Sequence, residues 1–170
     1  MSYRDYRKRI FIGMILVAIA GTISHFVYAL TGYNNFIGLF FPVNESVWEH
    51  MKLAFFPMLI FTLIVGAKEE DRGTCRKAAL MIGTLTATWL IPIVYYSYKG
   101  ILGFQKSWID ISSYYISLII ATALMLHIIK RMGNRECSIG ISILKILLLV
   151  QGIAFMIFTY KVLDLGIFKL

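Results

Sequence analysis

Residues 42–67 read PVNESVWEHMKLAFFPMLIFTLIVGA. The stretch from Pro42 to Lys52 carries two carboxylates, an imidazole and an ammonium group, and everything from Leu53 to Ala67 is uncharged. An apolar run joined to such a head reaches the ~20 residues that cross a ~30 Å hydrocarbon core. Lipid cannot satisfy open backbone groups, so the segment must be a helix if it crosses. Ionisable groups within the end of such a helix are costly, which marks them as candidates for function.

Outward from this segment the same length criterion finds four more runs. Five spans are expected, at about 10–30, 45–67, 78–97, 109–129 and 139–160, in one transmembrane domain covering residues 1–170. The fold class is all-α: an integral membrane bundle of five transmembrane helices. Composition agrees, because the 170 residues are 59% hydrophobic, 15% charged and of mean hydropathy +0.75, too apolar for a water-soluble globule. The run from Ile10 to Leu30 is too long for the apolar core of a signal peptide and is expected to remain as a span. Pro57 and Pro92 fall inside spans and are expected to kink them.

The net charge of +8 would suggest nucleic acid in a soluble protein. Here the basic residues gather in short loops, with no basic face carrying interleaved aromatics, so no nucleic-acid partner is expected. Lys and Arg number 4, 0, 4, 2, 3 and 2 in successive extramembrane segments from the N-terminus. That alternation predicts the N-terminus inside and the C-terminus outside. Cys75 and Cys137 fall in different loops without CxxC spacing, so the pattern indicates neither a zinc site nor a redox pair. Both map to the cytoplasmic side, where thiols stay reduced.

The segment from Asn44 to Lys52 reads as a helix start, with Asn44 as N-cap and Glu45 at the first helical position. Glu45 and Glu49 then share one face, with Lys52 near it, and Ser46 and His50 form a second pair rotated by ~100°. His25 and Tyr28 in the first span, Tyr95 and Tyr98 in the third, Asp110 in the fourth and Gln151 in the fifth all map to the outer half or mid-depth. Only Tyr3 and Tyr6, among the tyrosines, map to the inner boundary.

Two imidazoles with carboxylates suit Zn²⁺ or another divalent metal. The expected ligands are His25, Glu49 and His50, with Glu45 or Asp110 as a fourth ligand. Glu45, Glu49 or Asp110 would serve as general base. Tyr28, Asn44, Ser46, Lys52, Tyr95, Tyr98 and Gln151 would line the pocket or support the ligands. A competing reading satisfies every group without a ligand: Glu45 at the helix N-terminus, Glu49 paired with Lys52, and His50 bonded to Ser46 or a neighbouring helix.

The segments SHFVYALTG, GLFFPVNESVWEHMKLAFFP, YYSYKGILG and WIDI together resemble an uncharacterised family of small bacterial and archaeal multi-pass membrane proteins with a VNESVWEH core. The resemblance implies a five-helix or similar protein of a prokaryotic plasma membrane. Its signature includes His25, Tyr28, Asn44, Glu45, Trp48, Glu49 and His50, and it implies no activity. Beyond the bilayer itself, the expected partner is a lipid or small molecule. A metal at this depth would serve hydrolysis of a lipid or lipid-linked substrate. The alternatives are binding or transport of a solute, ion or proton without chemistry, and a structural accessory subunit.

Overall fold

The computed structural model describes residues 3–67, 74–104, 106–133 and 135–168, with residue 107 in its backbone only. Lys68, Arg72 and Lys169, counted above among the loop and tail charges, lie outside the described residues. The described residues form six α-helices and one short 3-10 turn: α1 (Tyr3–Leu30), α2 (Asn35–Gly38), α3 (Val47–Ala67), α4 (Cys75–Leu102), α5 (Ser107–Met132) and α6 (Ser138–Tyr160), with the turn at Gly166–Phe168. All but α2 are long and apolar enough to cross a membrane. Each expected span has its helix. α1 and α4, of 28 residues each, are ~42 Å long at 1.5 Å per residue. They outrun a ~30 Å core, so their ends reach the headgroup layer or the helices tilt.

α4 packs chiefly on α5 and α3, while α1 lies against α3 and α5. In the most apolar windows of α3 and α4, 56% and 61% of residues are buried; for α1 and α6 the shares are 28% and 22%. The bundle therefore has an α3–α4 centre, with α1 and α6 turning most of their surface outward. Met51, Phe55, Met58, Leu80 and Met125 fill the core. Threonines tie the centre together: Thr62 and Thr84 share a hydrogen bond of 2.9 Å between α3 and α4. Small hydroxyl residues suit helix contacts in lipid, since they permit close approach and supply polar glue.

α3 and α4 run as single helices through Pro57 and Pro92. Pro57 cannot donate to the carbonyl of Leu53. That carbonyl faces Gly21 of α1, where an added Cβ would lie 2.5 Å from it and would also meet the Tyr114 hydroxyl. Glycine is required at this crossing because no side chain fits between the backbones. Tyr114 donates across the same crossing to the carbonyls of Val17 and Ala18, at 3.1 and 3.3 Å.

The cysteines depart from expectation. Cys75 and Cys137 form a disulfide with Cα atoms 5.0 Å apart, joining the starts of α4 and α6. The backbone N–H of Cys75 donates to the Arg135 carbonyl at 2.9 Å, and Thr74 bridges Glu136, so the two loops lie side by side. A pair separated by 62 positions in sequence leaves no local spacing signal.

Candidate functional site

The helix α3 begins two residues later than the sequence suggests. The Asn44 side-chain oxygen accepts from the backbone N–H of Ser46 at 2.9 Å, making a turn rather than a helix cap. Ser46 takes the capping position instead. Its hydroxyl accepts from the N–H of Glu49 at 3.4 Å, and its carbonyl accepts from the N–H of His50 at 3.0 Å. Glu45 consequently lies outside the helix. On a continuous helix its carboxylate would point well away from His50, five positions on; from the non-helical backbone it folds back over the first turn.

That placement builds a cluster. One carboxylate oxygen, Oε2 of Glu45, lies 3.4 Å from Nε2 of His25 and 3.3 Å from Nε2 of His50. The two rings are 5.4 Å apart at their centroids and inclined by 56°. The ligand atoms of the three residues all lie within 4.8 Å of one another, a group able to hold a metal ion. His50 Nδ1 lies 2.9 Å from the Ser46 carbonyl. A carbonyl only accepts, so Nδ1 carries the proton of that bond, and Nε2 faces the carboxylate with its lone pair unless it too is protonated. The side chains of His25 and His50 are 32% and 25% exposed and that of Glu45 is 68% exposed, so the cluster opens to the outside of the bundle.

Glu49, expected as a ligand, is not brought to the histidines. Its Oε2 accepts from Lys52 Nζ at 2.7 Å and from the N–H of Val43 at 3.0 Å. Lys52 also donates to the Gly38 carbonyl at 2.9 Å and to the Thr159 hydroxyl at 2.6 Å. Glu49 and Lys52 are 2% and 1% exposed. The reason is helical: Glu49 lies ~100° round from His50 and faces the inside of the bundle. This buried pair fastens the 31–46 segment and the end of α6 to α3. Thr159 carries no signal in sequence, whereas the three-residue spacing of Glu49 and Lys52 does.

The remaining expected residues divide between two regions. His50 and Asp110 line two adjoining clefts; Glu45 and Tyr95 line the first, His25 and Tyr115 the second. Tyr98 donates to the Asp110 carboxylate. The Tyr95 hydroxyl accepts from Lys99 Nζ at 3.1 Å. Tyr28 instead packs edge-on against Tyr33 beside the 31–46 segment. Gln151 is buried in α6, lines neither cleft, and its Nε2 has no hydrogen-bond partner among the described residues. Tyr114, one of the outer-boundary tyrosines, also lines the first cleft, as does Ser113, which the sequence reading does not single out. Ser113 follows Asp110 at a three-residue helical spacing, which is the signal that would have found it.

No curated protein and no solved structure matches this chain. A family model does, over residues 1–170. The chain, with its five helices long and apolar enough to cross a membrane, thus belongs to a family of unknown function, DUF6512.

Proposed function

We propose that His25, Glu45 and His50 hold a divalent metal, zinc above others, and that the protein is a metal-dependent hydrolase acting at the outer surface of a prokaryotic plasma membrane on a lipid or lipid-linked substrate. The observation that carries this reading is the spacing about the Glu45 oxygen. A charge-assisted hydrogen bond would draw each imidazole nitrogen to about 2.7–2.9 Å. The actual separations are 3.4 and 3.3 Å. Bonds of about 2.0–2.1 Å from a tetrahedral zinc put neighbouring N and O ligands ~3.3 Å apart. Two imidazoles and one carboxylate also form a donor set that leaves a fourth position for water or substrate.

Bound there, the metal would polarise a carbonyl or phosphoryl oxygen and lower the pKa of a water towards ~7. Asp110 lines the clefts beside His50 and is held as an acceptor by the Tyr98 hydroxyl. It would serve as the general base, placed to take the proton of such a water and return it to the leaving oxygen. Glu45 is engaged by the metal and Glu49 by Lys52.

Elemental analysis of the purified protein tests the reading. Near-stoichiometric zinc that disappears in both His50→Ala and Glu45→Gln is expected. Metal-free wild-type protein, fully folded, would overturn it. The cluster would then be read as a shared-proton site, in keeping with ion or proton binding, since an imidazolium also suits that carboxylate.

A further inference from the structure

Between α1 and α5 an apolar groove runs along the bundle surface, with Phe11 and Ala18 on one wall and Tyr115, Ile119, Ala123 and Leu126 on the other. Tyr115 also lines the cleft that contains His25, His50 and Asp110, so groove and cleft adjoin. The hydroxyl groups along the groove are satisfied by the protein itself. Tyr115 pairs with Thr22 at 2.9 Å, and Thr122 donates to the Leu118 carbonyl at 2.6 Å. An occupant therefore meets carbon.

Along α5, Tyr115 to Leu126 covers eleven residue steps, ~16 Å of helix. That is the length of a substantial part of an acyl chain, and it runs from about two turns inside the outer end of α5 towards its inner end. At the outer end the charges change. Lys99 bonds to Tyr95 on the cleft wall, and with a dication bound, the ion and Lys99 outweigh Glu45 and Asp110. The sorting is hydrocarbon below and positive charge above.

We infer that this groove seats one acyl chain of a membrane phospholipid, whose phosphate ester lies at the His25–Glu45–His50 cluster. The headgroup end of this assignment rests on the metal reading; the chain end does not. A second apolar groove, between α1 and α3, shares no residue with either cleft. It provides an internal comparison, because ordinary boundary lipid would occupy both grooves alike.

The test uses the whole protein in phosphatidylcholine nanodiscs containing a trace of phosphatidic acid with a diazirine in its acyl chain. After irradiation, labelled positions are mapped by mass spectrometry. Labelling should concentrate on residues 11–18 and 115–126, several-fold above Ile60 and Ile64 of the other groove. It should fall several-fold with excess unlabelled phosphatidic acid, and again in Ala123→Trp, whose ring fills the groove without touching the cluster. Unchanged melting temperature and zinc content in that variant show that it is folded; competition on the wild type stands even if it is not. Labelling spread evenly over all lipid-facing helices, and not competed, would overturn the groove. Zinc-free wild-type protein with competed labelling in the α1–α5 groove would overturn the metal reading and support the chain assignment.

Discussion

A carboxylate oxygen facing two imidazole nitrogens is satisfied by a proton on either ring or by a metal ion among them, because three bare lone pairs repel. Glu45 is in that position, and on the metal reading it supplies the negative charge that favours a dication. Replacing it with Gln keeps the shape and removes the charge. Since loss of a mere outer partner costs metal affinity ~10–100-fold, Glu45→Gln should cost at least as much, read as the zinc dissociation constant by competition with a chelator. Its melting temperature without metal should stay within a degree or so of wild type, because the side chain is mostly exposed. The buried pair behaves in the opposite way. Removing one partner of a buried ion pair strands the other charge and costs about 3–5 kcal/mol. Glu49→Gln and Lys52→Met should each lower thermal stability sharply while leaving zinc stoichiometry in the folded fraction unchanged. Loss of zinc without loss of stability in Glu49→Gln would return that residue to the metal. The sequence showed that two glutamates and one histidine crowd one helix start, with a second histidine, His25, in the first span. It did not show which glutamate faces the histidines. Asn44 and Ser46 both have capping chemistry, and moving the cap by two residues takes Glu45 off the helix and lets it turn back.

At the scale of elements, the site depends on how closely α1 approaches α3. His25 follows Gly21 by four residues and so lies on the same face of α1, one turn closer to the end of that helix. At Gly21 a Cβ would stand 2.5 Å from the Leu53 carbonyl, the group left without a helical donor by Pro57. Gly21→Ala gains about 1 kcal/mol in helix propensity, but a backbone carbonyl cannot move aside as a flexible side chain would. Overpacking of this kind costs about 1–3 kcal/mol, so steric displacement wins. The variant should melt at a lower temperature and bind zinc more weakly although no ligand has changed. Gly140→Ala is the control, with nothing within 4 Å of the added carbon. The spans themselves were legible from length and hydropathy because a hydrocarbon core leaves few choices. The α1–α3 crossing was not, since a lone glycine in an apolar run gives no sign of what lies opposite.

At the scale of the whole molecule, the two ends of the bundle differ in chemistry. The His–Glu–His cluster lies where α1 ends and α3 begins, and the disulfide lies where α4 and α6 begin, at the other end. The basic loops belong to the disulfide end, so the positive-inside bias would give that end to the cytoplasm, where exposed disulfides are reduced. Cys75, however, is only 1% exposed and Cys137 is half-buried, so soluble thiols have access through the Cys137 sulfur alone, and restricted access lets the bridge persist on that side. Two measurements taken together decide the matter. A fluorescent protein that matures only in the cytoplasm should glow when fused before residue 1 and stay dark when fused after residue 170. Intact mass after lysis into a thiol-alkylating reagent should show no added label. The loop of 62 positions between the cysteines makes the bridge worth at most about 4 kcal/mol on chain entropy. Helices that stay ordered in the bilayer reduce that figure, so Cys75→Ser should lower thermal stability by a fraction of it and leave zinc binding at the far end intact. A glowing C-terminal fusion with a dark N-terminal one would invert the molecule, putting the disulfide outside and the cluster in the cytoplasm, and would move the hydrolase reading to the inner leaflet. Two free thiols in the lysate would instead show that the loops at the basic end are held without the bridge, by contacts such as those of Cys75 with Arg135 and of Thr74 with Glu136.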